Sequence, residues 1–351
     1  MIKDQIQSIN SNSDLSYQEM ESAINSIMSG NESDGDIEEF LLALNTKGIS
    51  EIEISAAASV MRSKSLQFDI GDGNHIDTCG TGGSGLHTFN CSTASAFVAT
   101  AGGAKVTKHG NKAISSKSGS ADFLTTAGAN INHERDQLNK IFNNVGFIFL
   151  FAPLHHQSMK YVMPARQKIG VKTIFNLLGP HTNPCNAKKQ IIGVYSKDLV
   201  EVFASVAKKL GMEHVLVVHG ADGLDEITIT EKTYVAELKD GDIKKFEIIP
   251  EDFGLQRALF EQIEANSPEE SYQMIIDAFS GNESPVADMI AMNAGAAIYL
   301  AGCEDSIEEG VYKAKNVLKN GSHVITENLS IACQFYNGFI HFCHRSPRPK
   351  H

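Results

Sequence analysis

No tryptophan occurs among the 351 residues, which by itself excludes nothing. Other absences exclude more. The six cysteines, at 79, 91, 185, 303, 333 and 343, are scattered and form no C-x-x-C pair. A disulfide framework is therefore not expected, and free thiols in a reducing cytosol are. No uncharged run approaches the roughly 20 residues that cross a bilayer, and Met1-Ile2-Lys3-Asp4 opens without the apolar stretch of a signal peptide. The expectation is a cytoplasmic protein with no membrane partner. An excess of positive charge is lacking too: 30 basic against 42 acidic residues leave −12, which disfavours nucleic acid as a partner. Any phosphate site must then be a local concentration of basic groups. Internal repeats, low-complexity tracts and long charge runs are also missing.

What is present points to a soluble protein with more than one core. The length exceeds what a single hydrophobic core usually serves. From Ser16 to about Ser65 the pattern is helical, with Ile37, Phe40, Leu41 and Leu44 at three- and four-residue spacings. Ser16-Tyr17-Gln18-Glu19 has the form of a capping box, and Gly48 and Ser50 mark a break between helices. After Phe68 short β-rich runs at 75–79, 104–108, 146–150, 191–195 and 214–218 alternate with helical runs at 92–100, 121–127, 198–210, 268–279 and 285–299. Tyr234–Leu238 and Lys244–Ile249, split by Asp240-Gly241, form a late hairpin. The fold class expected is α/β: a small helical N-terminal domain (residues 1–67) and a larger α/β domain (68–330) with a mostly parallel central sheet flanked by helices. The last stretch, 331–351, remains unplaced. Its Cys333, Cys343 and His344 match no familiar zinc spacing.

The chemistry concentrates where the first strand of the α/β part runs into Gly80-Thr81-Gly82-Gly83-Ser84-Gly85, with a helix opening near Ser92. Backbone N–H groups and a helix start then converge, as a phosphate requires. Glycines allow the close approach and the positive φ. The loop also spells G-x-G-x-x-G, but a dinucleotide fingerprint wants an acidic residue at the end of the next strand. That strand ends instead at Lys108-His109-Gly110-Asn111, a cation suited to a phosphorylated substrate. No Lys-Ser or Lys-Thr follows the last glycine, so the loop is not a Walker A motif. Asn90-Cys91-Ser92-Thr93 brings amide and hydroxyl groups to the helix start, for capping or for sugar-phosphate and metal contacts. Residues 115–120 offer a second hydroxyl-rich helix start or a solvated loop. Asp225-Glu226, following the apolar strand Val215–Val218, offers hard oxygen donors of the kind magnesium takes, or a surface turn. His155, His156 and Arg166 are expected on one helix after Ala152-Pro153, with an exposed structural arginine the default for Arg166.

Taken together these segments resemble the anthranilate phosphoribosyltransferases. The resemblance runs from about residue 16 to about 320 and rests on GTGG (80–83), N-x-S-T (90–93), KHGN (108–111), NLLGP (176–180) and GLDE (223–226) in that order. It implies transfer of phosphoribosyl from 5-phosphoribosyl 1-diphosphate to the amine of anthranilate, with release of pyrophosphate, in tryptophan biosynthesis. It implies magnesium, two ions with the diphosphate, and a homodimer through the helical domain. Hinge-region helices near 155–185 would join that domain, with the active site between the two. Matched residue by residue, the diphosphate falls on Gly80, Gly83, Ser84, Thr88, Asn90, Cys91, Ser92, Thr93, Lys108, Gly110, Asn111, Ser116 and Ser120. The metal falls on Ser92, Asp225 and Glu226. Anthranilate falls on Gly80, Asn111, His156, Arg166 and Pro180, with Met159 nearby. Lys108 and His109 are the residues nearest the chemistry.

Two departures stand out: Ser84, where the family usually has Asp, and His181, where it usually has an apolar residue. Class II nucleoside phosphorylases and a non-enzymatic nucleic-acid-binding relative share the implied fold. Asn111 with Arg166 has no purpose in the first, and −12 argues against the second.

Overall fold

Serine sets where the second, third and fourth N-terminal helices begin. α1 (Lys3–Asn10) is followed by α2 (Tyr17–Met28), α3 (Asp34–Lys47) and α4 (Glu51–Ser63). Ser16, Ser33 and Ser50 each accept at Oγ the backbone N–H three residues on, satisfying donors that a helix start leaves unpaired. Ser16 with Glu19 is the expected capping box, and Ser50 with Glu53 is another. Gly48, at φ 92°, ends α3 where the break was expected. The helical reading began at Ser16 and missed α1. Its signal was only Ile2, Ile6 and Ile9, all buried in the structure.

The computed structural model describes residues 2–71, 74–113 and 117–321, with Ile325 and Leu329. Ser116 and the stretch from Cys333 to His351 lie outside the described residues.

The sheet has the order β3-β2-β1-β4-β5-β6-β7. Its strands are β1 (Ile76–Thr78), β2 (Val106–Gly110), β3 (Phe147–Phe151), β4 (Lys189–Gly193), β5 (His214–Gly220), β6 (Thr233–Lys239) and β7 (Asp242–Ile248). The first five run parallel, and β6 and β7 add an antiparallel edge. Parallel neighbours need crossovers. α5 (Cys91–Ala101) joins β1 to β2, α6 (Ser120–Thr126) and α7 (Arg135–Val145) join β2 to β3, and α11 (Leu199–Lys209) joins β4 to β5. The expected hairpin turns at Asp240 and Gly241, both at positive φ, the requirement of a tight two-residue turn.

Between β3 and β4 the chain leaves the sheet through α8 (Ala152–His155), α9 (Met163–Ile169) and α10 (Phe175–Leu178). Val162, Ala165, Ile174 and Leu178 share one buried cluster with Ile24, Phe40 and Ile54 of the N-terminal helices. The single helix expected to carry His155, His156 and Arg166 is therefore corrected. α8 stops at His155, a 3-10 turn spans Gln157–Tyr161, and Arg166 stands on α9.

α12 (Pro268–Phe279), α13 (Pro285–Leu300) and α14 (Ile307–Asn320) complete the layers. α13 is buried on nearly every side, the mark of a helix inside the core. The order of connections reverses at β1, which pairs with β2 on one side and β4 on the other. In open α/β sheets the crevice beyond the strand ends at such a reversal is where ligands bind.

Candidate active site

The glycine loop is shaped from below by β4 and from the side by a carboxylate. Past the end of β1, the Cys79 N–H donates to the Ile191 carbonyl (3.1 Å) and the Thr81 N–H to the Gly193 carbonyl (2.8 Å). The chain then turns away at Gly82, Gly83 and Gly85, all with positive φ. Gly80 is required for another reason: a Cβ there would come within 2.8 Å of Asp225 Oδ2. Gly193 is required likewise, since its Cβ would overlap the Asp225 carbonyl. Asp225 Oδ2 accepts the Gly82 N–H (2.9 Å), and Glu226 Oε1 accepts the Ser92 N–H (3.2 Å) at the start of α5. The two acids that follow β5 thus close over the loop and the helix start.

Lys108, 2% exposed in the middle of β2, reaches into the same spot. Its Nζ donates to the Thr78 carbonyl and to Thr78 Oγ1 and Ser92 Oγ, the last two at 3.2 Å. Burial raises the proton affinity of both carboxyls. Glu226 is pushed up to about 8, with the Asp225 charge adding to burial and Lys108 opposing. Two carboxylates that resist ionisation side by side, with a serine hydroxyl adjacent, are an oxygen set that a hard divalent cation would relieve. Among the described residues no group of three His, Cys, Asp or Glu forms a closed metal cage. The carboxylates of Asp225 and Glu226 and the Ser92 hydroxyl are hard oxygen donors, the type that suits magnesium. Beneath it lies Asp77, which motif reading passed over because it sits mid-strand. Fully buried and raised to about 6 by that burial, it accepts the His109 N–H (3.1 Å) and Asn183 Nδ2 (2.8 Å).

Asn90 is the N-cap of α5 but does not cap it. Its Oδ1 accepts from Ser118 Oγ (2.7 Å) and Ser271 Oγ (2.8 Å), and its Nδ2 donates to the Ser118 carbonyl (3.1 Å). The 90–93 turn is thereby tied to the loop before α6. Ser120 Oγ donates to the Asn111 carbonyl (3.3 Å), and Gly110 makes room for it, since a Cβ would overlap that hydroxyl. Thr88 forms a bridge with Glu264. Ser84 Oγ accepts the Leu86 N–H at 3.4 Å. Cys91 and Thr93 are buried, at 1% and 0% exposure.

The acceptor residues form a second group. His109 and His156 are buried with ring centroids 5.1 Å apart, and among the described residues neither ring has a hydrogen-bond partner of ordinary geometry. Burial, then the neighbouring histidines, hold His109 well below the usual imidazole range, and burial holds His156 at about 4, so both stay neutral. Arg166 donates to Asn176 Oδ1 (3.2 Å) and lies 5.9 Å from the Phe175 ring centroid. No hydrogen bond joins it to Gly80 or Asn111 among the described residues. Pro180 is buried, its carbonyl accepting from Gln190 Nε2 (2.8 Å). A surface pocket of about 630 Å³ between α13, α14 and the Asp252–Gly254 turn shares none of these residues.

One cation at the loop was not anticipated. Lys172 Nζ donates to the Gly83 carbonyl (2.5 Å) and lies 3.9 Å from the Tyr195 ring centroid.

Residues 72–324 match the model of the glycosyl transferase family a/b domain, and residues 3–65 match that family's helical bundle domain. Over 326 residues the sequence is 44% identical to the anthranilate phosphoribosyltransferase of Nitrosomonas eutropha, covering 93% of this chain and 95% of that protein. The chain belongs to the anthranilate phosphoribosyltransferase family. The fold agrees with solved members. The Saccharomyces cerevisiae anthranilate phosphoribosyltransferase in complex with PRPP and Mg superposes with a TM-score of 0.85 at 28% identity, over 95% of this chain and 98% of that one. The same yeast protein in complex with 4-fluoroanthranilate gives 0.81 at 28%, over 92% and 93%. As an anthranilate phosphoribosyltransferase the chain is a transferase of tryptophan biosynthesis, moving phosphoribosyl onto the anthranilate amine. No helix among the described residues is long and apolar enough to cross a membrane.

Proposed function

We propose that the phosphoribosyl diphosphate lies along Gly80, Gly83, Ser84, Thr88, the 90–93 turn, Lys108, Gly110, Asn111, Ser116 and Ser120, and that Ser92, Asp225 and Glu226 hold two magnesium ions with it. Bound magnesium supplies charge compensation for the departing diphosphate. The convergence of Asp225 and Glu226 on Gly80, Gly82 and Ser92 carries this reading. Anthranilate lies against Gly80, Asn111, His156 and Pro180, its carboxylate on the Arg166 guanidinium, a planar fork suited to bidentate pairing.

In the reaction the bond from ribose C1 to the diphosphate oxygen breaks and the amine nitrogen bonds to C1. The electron pair leaves with the diphosphate, and the proton of the resulting ammonium then passes to water. Lys108, fixed by Thr78 and Ser92, offsets charge growing on the leaving oxygen. The aromatic amine is neutral and exposes its lone pair without a strong base, so orientation is the main task. His109, neutral through burial, lies nearest as a polar neighbour of the amine. We also assign the homodimer contact to the helical lobe, residues 1–67 with the helices near 155–185. Leu42 and Ile52 on that lobe are each 46% exposed. A cytoplasmic location fits the free thiols at 79, 91, 185 and 303.

The test mixes protein, anthranilate, 5-phosphoribosyl 1-diphosphate and Mg²⁺ and follows the loss of anthranilate fluorescence. No loss across a wide Mg²⁺ range overturns the reading. Sedimentation velocity checks the dimer.

A further inference from the structure

Lys172 lies between α9 and α10, outside every motif that carried the family resemblance. Its backbone is held from the helical side, where Asn45 Nδ2 on α3 donates to the Lys172 carbonyl (2.6 Å). Its side chain crosses to the glycine loop. The Gly83 carbonyl is the one hydrogen-bond acceptor its ammonium meets among the described residues. The Tyr195 ring lies beneath the charge. An ammonium has three donors, so two remain to give. Gly83 is fitted to this approach: besides its positive φ, a Cβ there would stand 3.0 Å from Lys172 Cε and 3.1 Å from Nζ. The same charge acts on Asp225, favouring its ionised form. The cation sits on the Gly83 carbonyl, between Gly82, which donates to Asp225, and Ser84 in the chain.

We propose that Lys172 is a diphosphate-binding residue of this active site, its ammonium passing from the Gly83 carbonyl to the diphosphate when the sugar substrate binds. The inference rests on the reading of the loop given above. A carbonyl on one donor and an aromatic face are weak holds for a primary ammonium, and a polyanionic diphosphate with its metal is a stronger one. Ser84 makes the cation more effective, because the carboxylate usual at that position would neutralise it. The backbone bond from Asn45 means that the helical lobe helps position the cation.

The experiment compares Lys172→Met, which keeps the stem and removes the charge, with Lys172→Arg, which keeps the charge. Steady-state kinetics are measured for each substrate, with calorimetric binding of inorganic diphosphate plus Mg²⁺. Lys172→Met is expected to raise the KM for phosphoribosyl diphosphate about tenfold and weaken inorganic diphosphate to a similar degree, with the anthranilate KM within about twofold, the size of one charge-assisted contact. Lys172→Arg is expected to restore most of the loss. Unchanged diphosphate affinity and KM in Lys172→Met overturn the inference. So does an equal rise in both substrates' KM in the two variants, which would make Lys172 a structural clasp only. If the native protein turns nothing over while Lys172→Met still loses diphosphate affinity, the assigned reaction falls and Lys172 stands.

Discussion

Ser84 stands beside the proposed metals without the carboxylate usual at its position, and its hydroxyl is engaged with the Leu86 N–H inside the loop. Restoring the charge in Ser84→Asp should lower the Mg²⁺ concentration giving half-maximal rate, read from a magnesium titration of turnover. An unchanged titration would mean that position 84 is remote from the metals. Arg166→Ala should raise the anthranilate KM by about a hundredfold, as loss of one buried charge-assisted bidentate contact costs about 3 kcal/mol, with diphosphate binding retained by calorimetry. His181 is fully buried against Phe203, its ring nitrogens without partners among the described residues, and burial with the nearby Arg62 charge lowers it to about 3. The unfolded chain takes up that proton near pH 6.5 and the folded chain does not, so stability from this neutral imidazole is complete above about 6.5 and lost as pH falls toward 3. Between about pH 7.5 and 5.5 the native protein should lose about 1.4 kcal/mol more than His181→Leu, measured by urea unfolding. His181 departs from the apolar residue usual at its position, and among the described residues no partner offsets its buried ring.

Among elements, the α13–α14 contact is the most exacting. A Cβ on Gly295 would lie 2.3 Å from the Val311 nitrogen, and one on Gly310 would lie 2.2 Å from the Gly295 carbonyl, so two helix backbones touch through paired glycines. Gly295→Ala should destabilise the fold by about 2–3 kcal/mol through overpacking, with a lower urea midpoint as the readout. The sequence shows these glycines as helix-interior residues and gives no sign that they face one another. Strands were more legible: the five apolar runs are β1–β5, with starts displaced by two residues at most, because strands buried on both faces read as continuous apolar segments. α7 and α14 were missed, their apolar spacing being diluted by charged and amide residues.

At the scale of the molecule, the order reversal at β1 gathers the ends of β1, β2, β4 and β5 at one crevice. Segments from 16 residues apart, as for Ser92 and Lys108, to 143 apart, as for Gly82 and Asp225, therefore meet at one place. Saturating phosphoribosyl diphosphate with Mg²⁺, at about 100 times its dissociation constant, should stabilise the protein by about 2.7 kcal/mol. Thermal denaturation with and without the pair checks this, and Asp225→Asn should abolish most of the shift.

The sequence by itself determined the fold class, the glycine loop and the acidic pair, because phosphate approach, helix capping and strand burial each demand particular residues at short spacing. It left Asp77, Ser271 and Lys172 unmarked, since a buried aspartate, a serine and a lysine carry no spacing rule. Tertiary structure decided their roles by bringing them to Asn183, Asn90 and Gly83. It also separated His155, His156 and Arg166, which adjacency in the chain had put on one helix: α8 is a single turn, and burying Val162 and Ala165 against the N-terminal helices requires the chain to bend there.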